Sequence, residues 1–431
     1  MAPSDSPLKL ADEIQRDART ILFRGTYGAD ARPVRVRVPA LRQARDIAAV
    51  QREHDMLARL RSARIDAVLA MMESAHGPTL VLADQSETPL CDLIPVGGLP
   101  LDRFLPLAHD MATALEEVHA RDMVHRDIRP ASFWVAADGV TVTLGNFCRA
   151  SLVPNEAALG LGAGRLDGDL RYLSPEQTGR MNRVVDYRSD LYSLGLCFFE
   201  MLTGQLPFQA GDPVGWVHCH IAREPRPIRE LRPDLPEPLS DLVMRLLAKA
   251  AEQRYQLAAT VKSDLATAML EWRATGALTR FQPSRGDRPR QLVLPQRLFG
   301  RDAEVAQLLA AFDRASDGAV EFLAVAGGSG IGKSVLVREV QRPLTVRRGY
   351  YAEGKFDQLR RDVPFLALIQ PLRDLVKQVL TEPPAVLAHW AARLTRALGR
   401  NAAVMAEALP ELELVLRSEE RRVGKECRSR W

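Results

Sequence analysis

The chain has 431 residues, of which 46% are apolar and 26% charged, a globular composition with room for two or three domains. Its net charge is only +4, and its five cysteines are scattered without paired spacing, which argues against a disulfide framework and a zinc site. The start, MAPSDSPLKLADEIQRD, lacks a basic segment followed by an apolar run, and no apolar stretch is long enough for a membrane span, so we expect a cytoplasmic chain.

The region from Thr20 to Pro39 predicts a β-hairpin. Its two halves, TILFRGTY and VRVRVP, alternate as strands do, and GADARP between them has the composition of a turn. Residues 44–60 follow with apolar side chains at helical spacing and with Glu53 among them. A further strand is predicted at Thr79–Ala83, before a polar connection.

A helix predicted at Leu101–Ala120 leads directly into HRDIRPAS, residues 125–132, and short strands are predicted after it at 133–136 and 140–144. This is the context of a protein-kinase catalytic loop, in which an Asp deprotonates the substrate hydroxyl and an Asn five residues later holds Mg²⁺. Asp127 stands at the position of the base, and Ser132 stands at the position of the Asn.

Further kinase-like elements follow in order. Gly145-Asn146-Phe147-Cys148 stands where a kinase has Asp-Phe-Gly, so that Asn146 replaces a magnesium-binding carboxylate. Ser174-Pro175-Glu176 corresponds to the Ala-Pro-Glu element, and Asp190 begins an apolar helix. Arg254 is placed to pair with Glu176.

This series of elements, from Thr20 to about Trp272, resembles the eukaryotic-like serine/threonine protein kinases of bacteria. The resemblance implies an α+β bilobal kinase-like domain over residues 1–274, which transfers the terminal phosphoryl group of ATP to a Ser or Thr hydroxyl. It implies the following roles: Asp127 as base, Arg129 neutralising phosphate, Arg37 and Glu53 positioning ATP, Asn146 and Ser132 as weak Mg²⁺ ligands, and Glu176, Asp190 and Arg254 as structural residues.

Four departures lie on the ATP and magnesium side of this pattern. Arg37 replaces a Lys, Ser132 and Asn146 replace metal ligands, and Glu13–Arg19 contains no glycine for a phosphate-covering loop. The loss of one preorganised electrostatic group typically slows catalysis roughly a hundredfold to a thousandfold. The alternative function is therefore a pseudokinase that senses nucleotide or a partner, and Arg37 is alternatively an exposed strand cation.

Two segments, YLSPEQTGRMNRVVDYRSDLYSLG and VHCHIA, resemble one subfamily. It comprises very large bacterial signalling proteins in which a kinase-like domain continues into an AAA-type ATPase module, a GAF domain and a sensor histidine kinase. The resemblance implies helices at Leu239–Leu247 and Ala258–Arg273. It implies as partners a protein substrate or the downstream domains of the same chain.

Residues 275–297 are rich in Arg, Gln, Pro and Gly and predict a linker. A helix is predicted after Gly300, and Glu321–Ala326, EFLAVA, is predicted as a buried strand. A complete P-loop pattern follows, in which glycine backbone groups surround phosphates, Lys333 reaches the terminal phosphates and Ser334 binds Mg²⁺. The nucleotide-binding residues are Gly327, Gly328, Ser329, Gly330, Ile331, Gly332, Lys333 and Ser334.

Residues 298–416 thus predict the N-terminal part of an α/β P-loop NTPase of AAA type. The acidic strand end that holds magnesium-bound water in such enzymes is not visible before Leu416, so we expect the domain to be truncated. The last segment, 417–431, resembles a translated sequencing adapter and carries a net +3. Without it the net charge is about +1, so the basic pI does not indicate nucleic-acid binding.

Overall fold

A computed structural model gives the architecture of most of the chain. It describes residues 8–84, 87–153, 168–179, 184–279, 281–284, 287, 300–328, 331–340, 343–344, 347, 349–350, 352, 354, 366–380, 384–402, 404–405 and 409–416. The predicted adapter segment 417–431 and residues 288–297 of the predicted linker lie outside the described residues.

The chain divides into two compact units. The first comprises Met1–Phe208 and Glu224–Phe299, and the second comprises Gln209–Arg223 and Gly300–Trp431. No helix among the described residues is long and apolar enough to cross a membrane.

The first unit begins with a five-stranded antiparallel sheet of order β1-β2-β3-β5-β4. Its strands are β1 Leu8–Arg16, β2 Thr20–Tyr27, β3 Arg32–Pro39, β4 Val68–Ser74 and β5 Gly77–Ala83. One helix, α1 Ala44–Leu57, packs against this sheet. Three of these strands were predicted from the sequence, and the structure adds β1 and β4.

The alternation of β3 divides the sheet into two faces. Val34, Val36 and Val38 are completely buried in an apolar cluster with Ile21 and Val81. Because strand side chains alternate between faces, Arg35 and Arg37 point to the opposite side. That side faces α1 and the second lobe.

The second lobe is mainly helical and carries two small sheets. The three-stranded sheet has the order β6-β8-β9, and β10 pairs with β7. The elements are β6 Thr88–Pro89, α2 Leu101–His119, β7 Met123–Val124, β8 Phe133–Val135, β9 Val142–Leu144, β10 Ser151–Leu152, α3 Tyr187–Thr203, α4 Pro213–Ile221, α5 Ile228–Leu231, α6 Glu237–Leu246 and α7 Ala258–Thr275. Of these, α4 belongs to the second compact unit.

Helix α3 is buried on nearly every side, which fits its almost continuous apolar sequence. Its N-cap, Asp186, accepts a hydrogen bond from the backbone N–H of Arg188 at 2.8 Å. Gly195 permits close packing with α6, since a Cβ there would lie 2.7 Å from Cβ of Leu246. Sequence patterning located this core helix correctly.

In the second unit the described elements are helices. Besides α4, they are α8 Asp302–Ser316, α9 Lys333–Arg338, α10 Leu366–Val379, α11 Pro384–Leu398 and α12 Glu411–Leu416. The last three pack around an apolar cluster that includes Val376, Ala391 and Leu412.

The prediction of a buried strand at Glu321–Ala326 is wrong for this structure. The segment has no regular secondary structure, and Phe322 is 91% exposed. A strand is stabilised by hydrogen bonds to neighbouring strands, and no described residue pairs with this segment. Its apolar sequence alone was therefore not sufficient to form a strand.

Candidate functional site

The cleft between the two lobes of the first unit contains an ion pair of Arg37 and Glu53, the two residues that the resemblance implied as positioning ATP. Arg37 on β3 lies with Nε 2.7 Å from Oε2 of Glu53 on α1, and both side chains are almost completely buried. Nη1 of Arg37 also donates to the hydroxyl of Thr20 at 3.2 Å. Burial favours a lower pKa of Arg37, but attraction to several negative groups, of which Glu53 contributes most, together outweighs burial and the pKa is raised. Arg37 is thus a buried, paired cation and not an exposed one.

Glu53 also holds the segment that follows β9. Its Oε1 accepts a hydrogen bond from the backbone N–H of Phe147 at 3.0 Å, and its Oε2 accepts one from Sγ of Cys148 at 3.1 Å. One carboxylate therefore connects β3, α1 and residues 147–148.

Asn146 lies at the end of β9 in a left-handed backbone conformation, with φ of 68°. Asn tolerates this region better than most residues, and such conformations often occur at functional sites. Its Nδ2 donates to Oδ2 of Asp127 at 2.6 Å. Its Oδ1 is buried and has no hydrogen-bond partner in the described structure.

Asp127, the candidate base, is held by several donors. Besides Asn146, Nη1 of Arg149 donates to its Oδ2 at 2.8 Å. Nε of Arg129 lies 3.6 Å from its Oδ1. The side chain is 5% exposed, so its charge is balanced inside the protein and not by solvent.

This arrangement does not suit Mg²⁺. The ion prefers near-octahedral oxygen ligands and usually binds through carboxylates. Here the carboxylate of Asp127 is shared with Arg149 and Arg129, whose positive charges oppose a dication. Asn146 offers a neutral amide oxygen, and Ser132 uses its hydroxyl hydrogen to bond the backbone oxygen of Asp127 at 2.7 Å. The residues therefore do not fit the weak magnesium ligation that the resemblance implied.

The turn between β1 and β2 occupies the place of a phosphate-covering loop. Oδ1 of Asp17 accepts hydrogen bonds from the backbone N–H groups of Arg19 and Thr20, at 2.8 and 2.9 Å. Burial favours a higher pKa of Asp17, but Arg37, the two backbone hydrogen bonds and Arg149 together outweigh burial and the pKa is lowered. A short turn closed by an aspartate replaces a glycine loop.

A second buried arginine occupies the same face of β3 as Arg37. Nη2 of Arg35 donates to Oδ1 of Asp66 at 2.7 Å and to Oε2 of Glu87 at 2.9 Å. Its guanidinium carbon lies 4.3 Å from the ring centroid of Trp134 on β8. Arg35 therefore connects the sheet of the small lobe with the large lobe.

The catalytic-loop backbone is anchored by Asp190 of α3. Its two oxygens accept the backbone N–H groups of His125 and Arg126, both at 2.8 Å. Nε2 of His125 donates to the carbonyl oxygen of Gly145 at 2.9 Å. Burial lowers the pKa of His125, which keeps the ring neutral.

A bidentate ion pair lies deeper in the large lobe. Nη1 and Nη2 of Arg254 donate to the two oxygens of Glu176, at 2.7 and 3.0 Å, and Oγ of Ser189 donates to Glu176 at 2.7 Å. The pairing of Arg254 with Glu176 predicted from the sequence is present, and it fixes the segment that precedes α3.

The P-loop of the second unit is described in part. Nζ of Lys333, at the start of α9, donates to the carbonyl oxygens of Gly327 and Gly328, at 2.8 and 2.6 Å. A Cβ at position 327 would lie 3.1 Å from Cγ2 of Ile331, which explains a glycine there. Gly332 has φ of 92°, which also favours glycine. Ser329, Gly330 and the side chain of Ser334 lie outside the described residues.

The structure adds site residues that the sequence did not identify: Asp17, Arg35, Asp66, Glu87, Trp134 and Arg149. One signal was available for Arg35, because VRVRV places two arginines on one face of a central strand, and buried arginines require acidic partners. No comparable sequence pattern indicated that Arg149 would contact Asp127.

Two family models match the chain. Residues 31–265, more than half of the chain, match the model described as a protein kinase domain. Residues 297–426 match the model described as an AAA ATPase domain. This second match ends inside the predicted adapter segment, whose origin stays a prediction.

Curated relatives agree with these matches. A hybrid signal transduction histidine kinase G of Dictyostelium discoideum is 28% identical over 74% of this chain and 12% of its own length. The serine/threonine-protein kinase pkn2 of Myxococcus xanthus is 33% identical over 55% of this chain and 28% of its own. The serine/threonine-protein kinase PknB of Mycobacterium leprae is 31% identical over 45% of this chain and 31% of its own length. This chain thus spans less than a third of the length of each of these relatives.

Proposed function

Because this chain belongs to the protein kinase family and continues into an AAA ATPase domain, we propose that it is the ATP-dependent part of a multidomain signalling protein. We place its nucleotide site at the P-loop. Lys333 supports this, since its ammonium group is held at the exposed loop by two carbonyl oxygens that phosphate oxygens can replace. ATP with Mg²⁺ would supply the hydrolysable phosphate there, and Lys333 would bind its terminal phosphates.

For the kinase-family domain we propose a regulatory role with little phosphotransfer. One observation carries this proposal: the carboxylate of Asp127 is engaged by Arg149 and Asn146 at hydrogen-bond distance. A base must accept the proton of the substrate hydroxyl, and both donors bind Oδ2, which leaves only Oδ1, 3.6 Å from Nε of Arg129, to accept it. The altered ligands, Ser132 and Asn146, act in the same direction.

Phosphotransfer to a protein Ser or Thr hydroxyl is the second candidate. The buried pair of Arg37 and Glu53 favours it, because it keeps a fixed cation in the cleft. The relatives named serine/threonine-protein kinases also favour it. In that case Oδ1 of Asp127 would accept the hydroxyl proton, and Arg129 would neutralise the transferred phosphoryl group.

A transfer assay separates the two candidates. The chain carrying Lys333→Ala, which prevents ATP consumption at the P-loop, is incubated with γ-labelled ATP and casein, and label on Ser and Thr is measured. We expect no transfer above that of a matched chain that also carries Asp127→Asn. Transfer that disappears with Asp127→Asn would overturn the regulatory role and establish phosphotransfer.

The two candidate functions imply different partners for the kinase-family domain. A regulatory domain acts on domains of the same protein, whereas a kinase acts on a separate protein substrate. Comparing ATP hydrolysis by the full chain with that of an Arg254→Ala chain, in which the first unit is destabilised, tests whether the kinase-family domain influences the P-loop. An unchanged rate would contradict regulation of the ATPase domain.

A further inference from the structure

Arg35 is a charged residue that is almost completely buried between two lobes. Its side chain leaves β3 in the small lobe, and its guanidinium carbon lies 4.3 Å from the ring centroid of Trp134 in the large lobe. Such stacking of a guanidinium on an aromatic ring is strongest where water is excluded. Arg35 and Trp134 together therefore fill space between the lobes.

Three separate segments hold the guanidinium of Arg35. Asp66 follows α1, Glu87 lies in the connection between the lobes, and the carbonyl oxygen of Ala83 accepts from Nε and Nη2 at 3.3 and 3.2 Å. Glu87 is itself fixed, because the hydroxyl of Thr143 on β9 donates to its Oε1 at 2.6 Å. We name the group of Arg35, Asp66, Glu87 and Trp134 the interlobe clasp.

The clasp lies beside Arg37, on the side towards which a nucleotide bound at Arg37 would extend. Arg35 and Arg37 lie two residues apart on the same face of β3, about 7 Å along the strand. Beyond Arg37 in the other direction β3 reaches Pro39, which pairs with Thr20 beside the Asp17 turn. Phosphates bound at Arg37 would thus have the turn on one side and the clasp on the other. The base and ribose of the nucleotide would extend towards the clasp.

We propose that the interlobe clasp occupies the place of the nucleotide base and ribose, so that the kinase-family domain binds no ATP while the clasp is closed. The proposal rests on the proposed function, in which the P-loop is the nucleotide site. The residues around Arg37, where phosphates would bind, also support the proposal. Arg37 and Arg149, the cations there, already have the carboxylates of Glu53 and Asp127 as partners.

The clasp is built to be released as well as closed. Two carboxylates share the one guanidinium of Arg35, and Nη1 of Arg35 is buried without a hydrogen-bond partner in the described structure. The clasp therefore has more negative than positive charge, and one nitrogen of Arg35 lacks a hydrogen-bond acceptor. A change in the lobes that gives Asp66 or Glu87 another partner would therefore open the cleft.

Binding of a fluorescent ATP analogue tests the clasp. All chains carry Lys333→Ala, which is expected to weaken binding at the P-loop roughly 10- to 150-fold. We expect this parent chain to show only weak residual binding, which Arg37→Ala leaves unchanged. When Arg35→Ala is added together with Asp66→Asn and Glu87→Gln, we expect binding at least about tenfold tighter than that of the parent, because most molecules then have an open cleft. The two amide substitutions avoid leaving buried carboxylates without a cation.

If the parent chain binds the analogue and Arg37→Ala abolishes this binding, the proposal is overturned, since the cleft then accepts nucleotide with the clasp intact. Arg35→Lys is a second variant that keeps the positive charge for folding but lacks the planar group over Trp134. Folding is checked by near-UV circular dichroism. Absence of binding in every folded clasp variant would also overturn it. Because no transfer is measured, failure here is distinguishable from failure of the proposed function.

Discussion

Arg149 lies with Nη1 2.8 Å from Oδ2 of Asp127, and the two side chains form a buried ion pair at the centre of the catalytic loop. The pair links the residue expected to act as a base to the segment that replaces Asp-Phe-Gly. It satisfies the charge of Asp127 without metal or substrate. The catalytic loop thus keeps the Asp of the kinase motif in sequence, while another residue of the same domain occupies the carboxylate of that Asp.

Arg149→Leu is expected to lower the free energy of unfolding by about 3–5 kcal/mol, because Asp127 loses its closest charged partner in a buried place. Urea unfolding monitored by fluorescence measures this change. Arg171→Leu is the matched control, since Arg171 is 54% exposed and its pair with Asp169 is expected to contribute less than about 1 kcal/mol. Equal effects of the two substitutions would contradict the importance of the buried pair.

Glu53→Gln is expected to destabilise the first unit by about 3–5 kcal/mol, since Arg37 then keeps a buried charge without its ion-pair partner at 2.7 Å. The substitution preserves the shape of the side chain and isolates the charge. Glu13→Gln serves as control, because Glu13 pairs with Arg16 on the surface. Loss of less than about 1 kcal/mol with Glu53→Gln would show that Arg37 is stabilised by other groups.

Glu176 predicts a pH dependence of stability. Burial favours a higher pKa of this carboxyl group, but Arg254 and Ser189 outweigh burial and lower the pKa below the ordinary glutamate value of 4.5. A lowered folded-state pKa gives stability that is fully present above pH 4.5 and is lost as the pH falls through the folded-state pKa. Glu176→Gln should therefore destabilise strongly at pH 7 and progressively less at lower pH.

The measurement for Glu176 is urea unfolding between pH 7 and the onset of acid unfolding, for the natural and the substituted chain. Glu200→Gln is a control of opposite sign, because burial raises the pKa of Glu200 despite the hydrogen bond from Tyr172. Charge on Glu200 costs stability as the pH rises above 4.5, so its removal should help more at neutral pH. A pH-independent effect of Glu176→Gln would refute the ion-pair explanation.

Lys333→Ala is expected to weaken ATP binding by about 1.5–3 kcal/mol, or roughly 10- to 150-fold, through loss of charged hydrogen bonds to phosphate. Isothermal titration of the full chain with ATP measures the effect. Lys262→Ala, which removes the partner of Glu116 in the first unit, is the control and should leave binding unchanged. If both chains bind equally well, the nucleotide site lies elsewhere.

The order of elements in the first unit could be predicted well from the sequence. The hairpin of β2 and β3 and the helices α1 and α2 followed from periodicity. Helix α3 and the pairing of Glu176 with Arg254 followed from the kinase motifs, and the helices α6 and α7 were implied by the family resemblance. Strand β1 was not predicted. It pairs with β2 through shifted registers around Glu13, which interrupt the alternation by which a strand is identified.

In the second unit the sequence predicted the P-loop and the helix after it, and α9 begins at Lys333 as this pattern requires. The strand predicted at Glu321–Ala326 was wrong. A helix satisfies its own backbone hydrogen bonds, whereas a strand depends on neighbours supplied by other parts of the chain. Local sequence therefore predicted the helix more reliably than the strand.

By itself the sequence determined the family, the positions of Asp127, Asn146 and Lys333, and the departures from an active pattern. Tertiary structure alone decided that Arg149 engages Asp127 and that Arg35 reaches Asp66, Glu87 and Trp134. These partners lie far from one another along the chain, and ionic contacts have no sequence period. Spacing specifies which face of a strand a charge occupies, but only packing of the lobes determines which charges meet there.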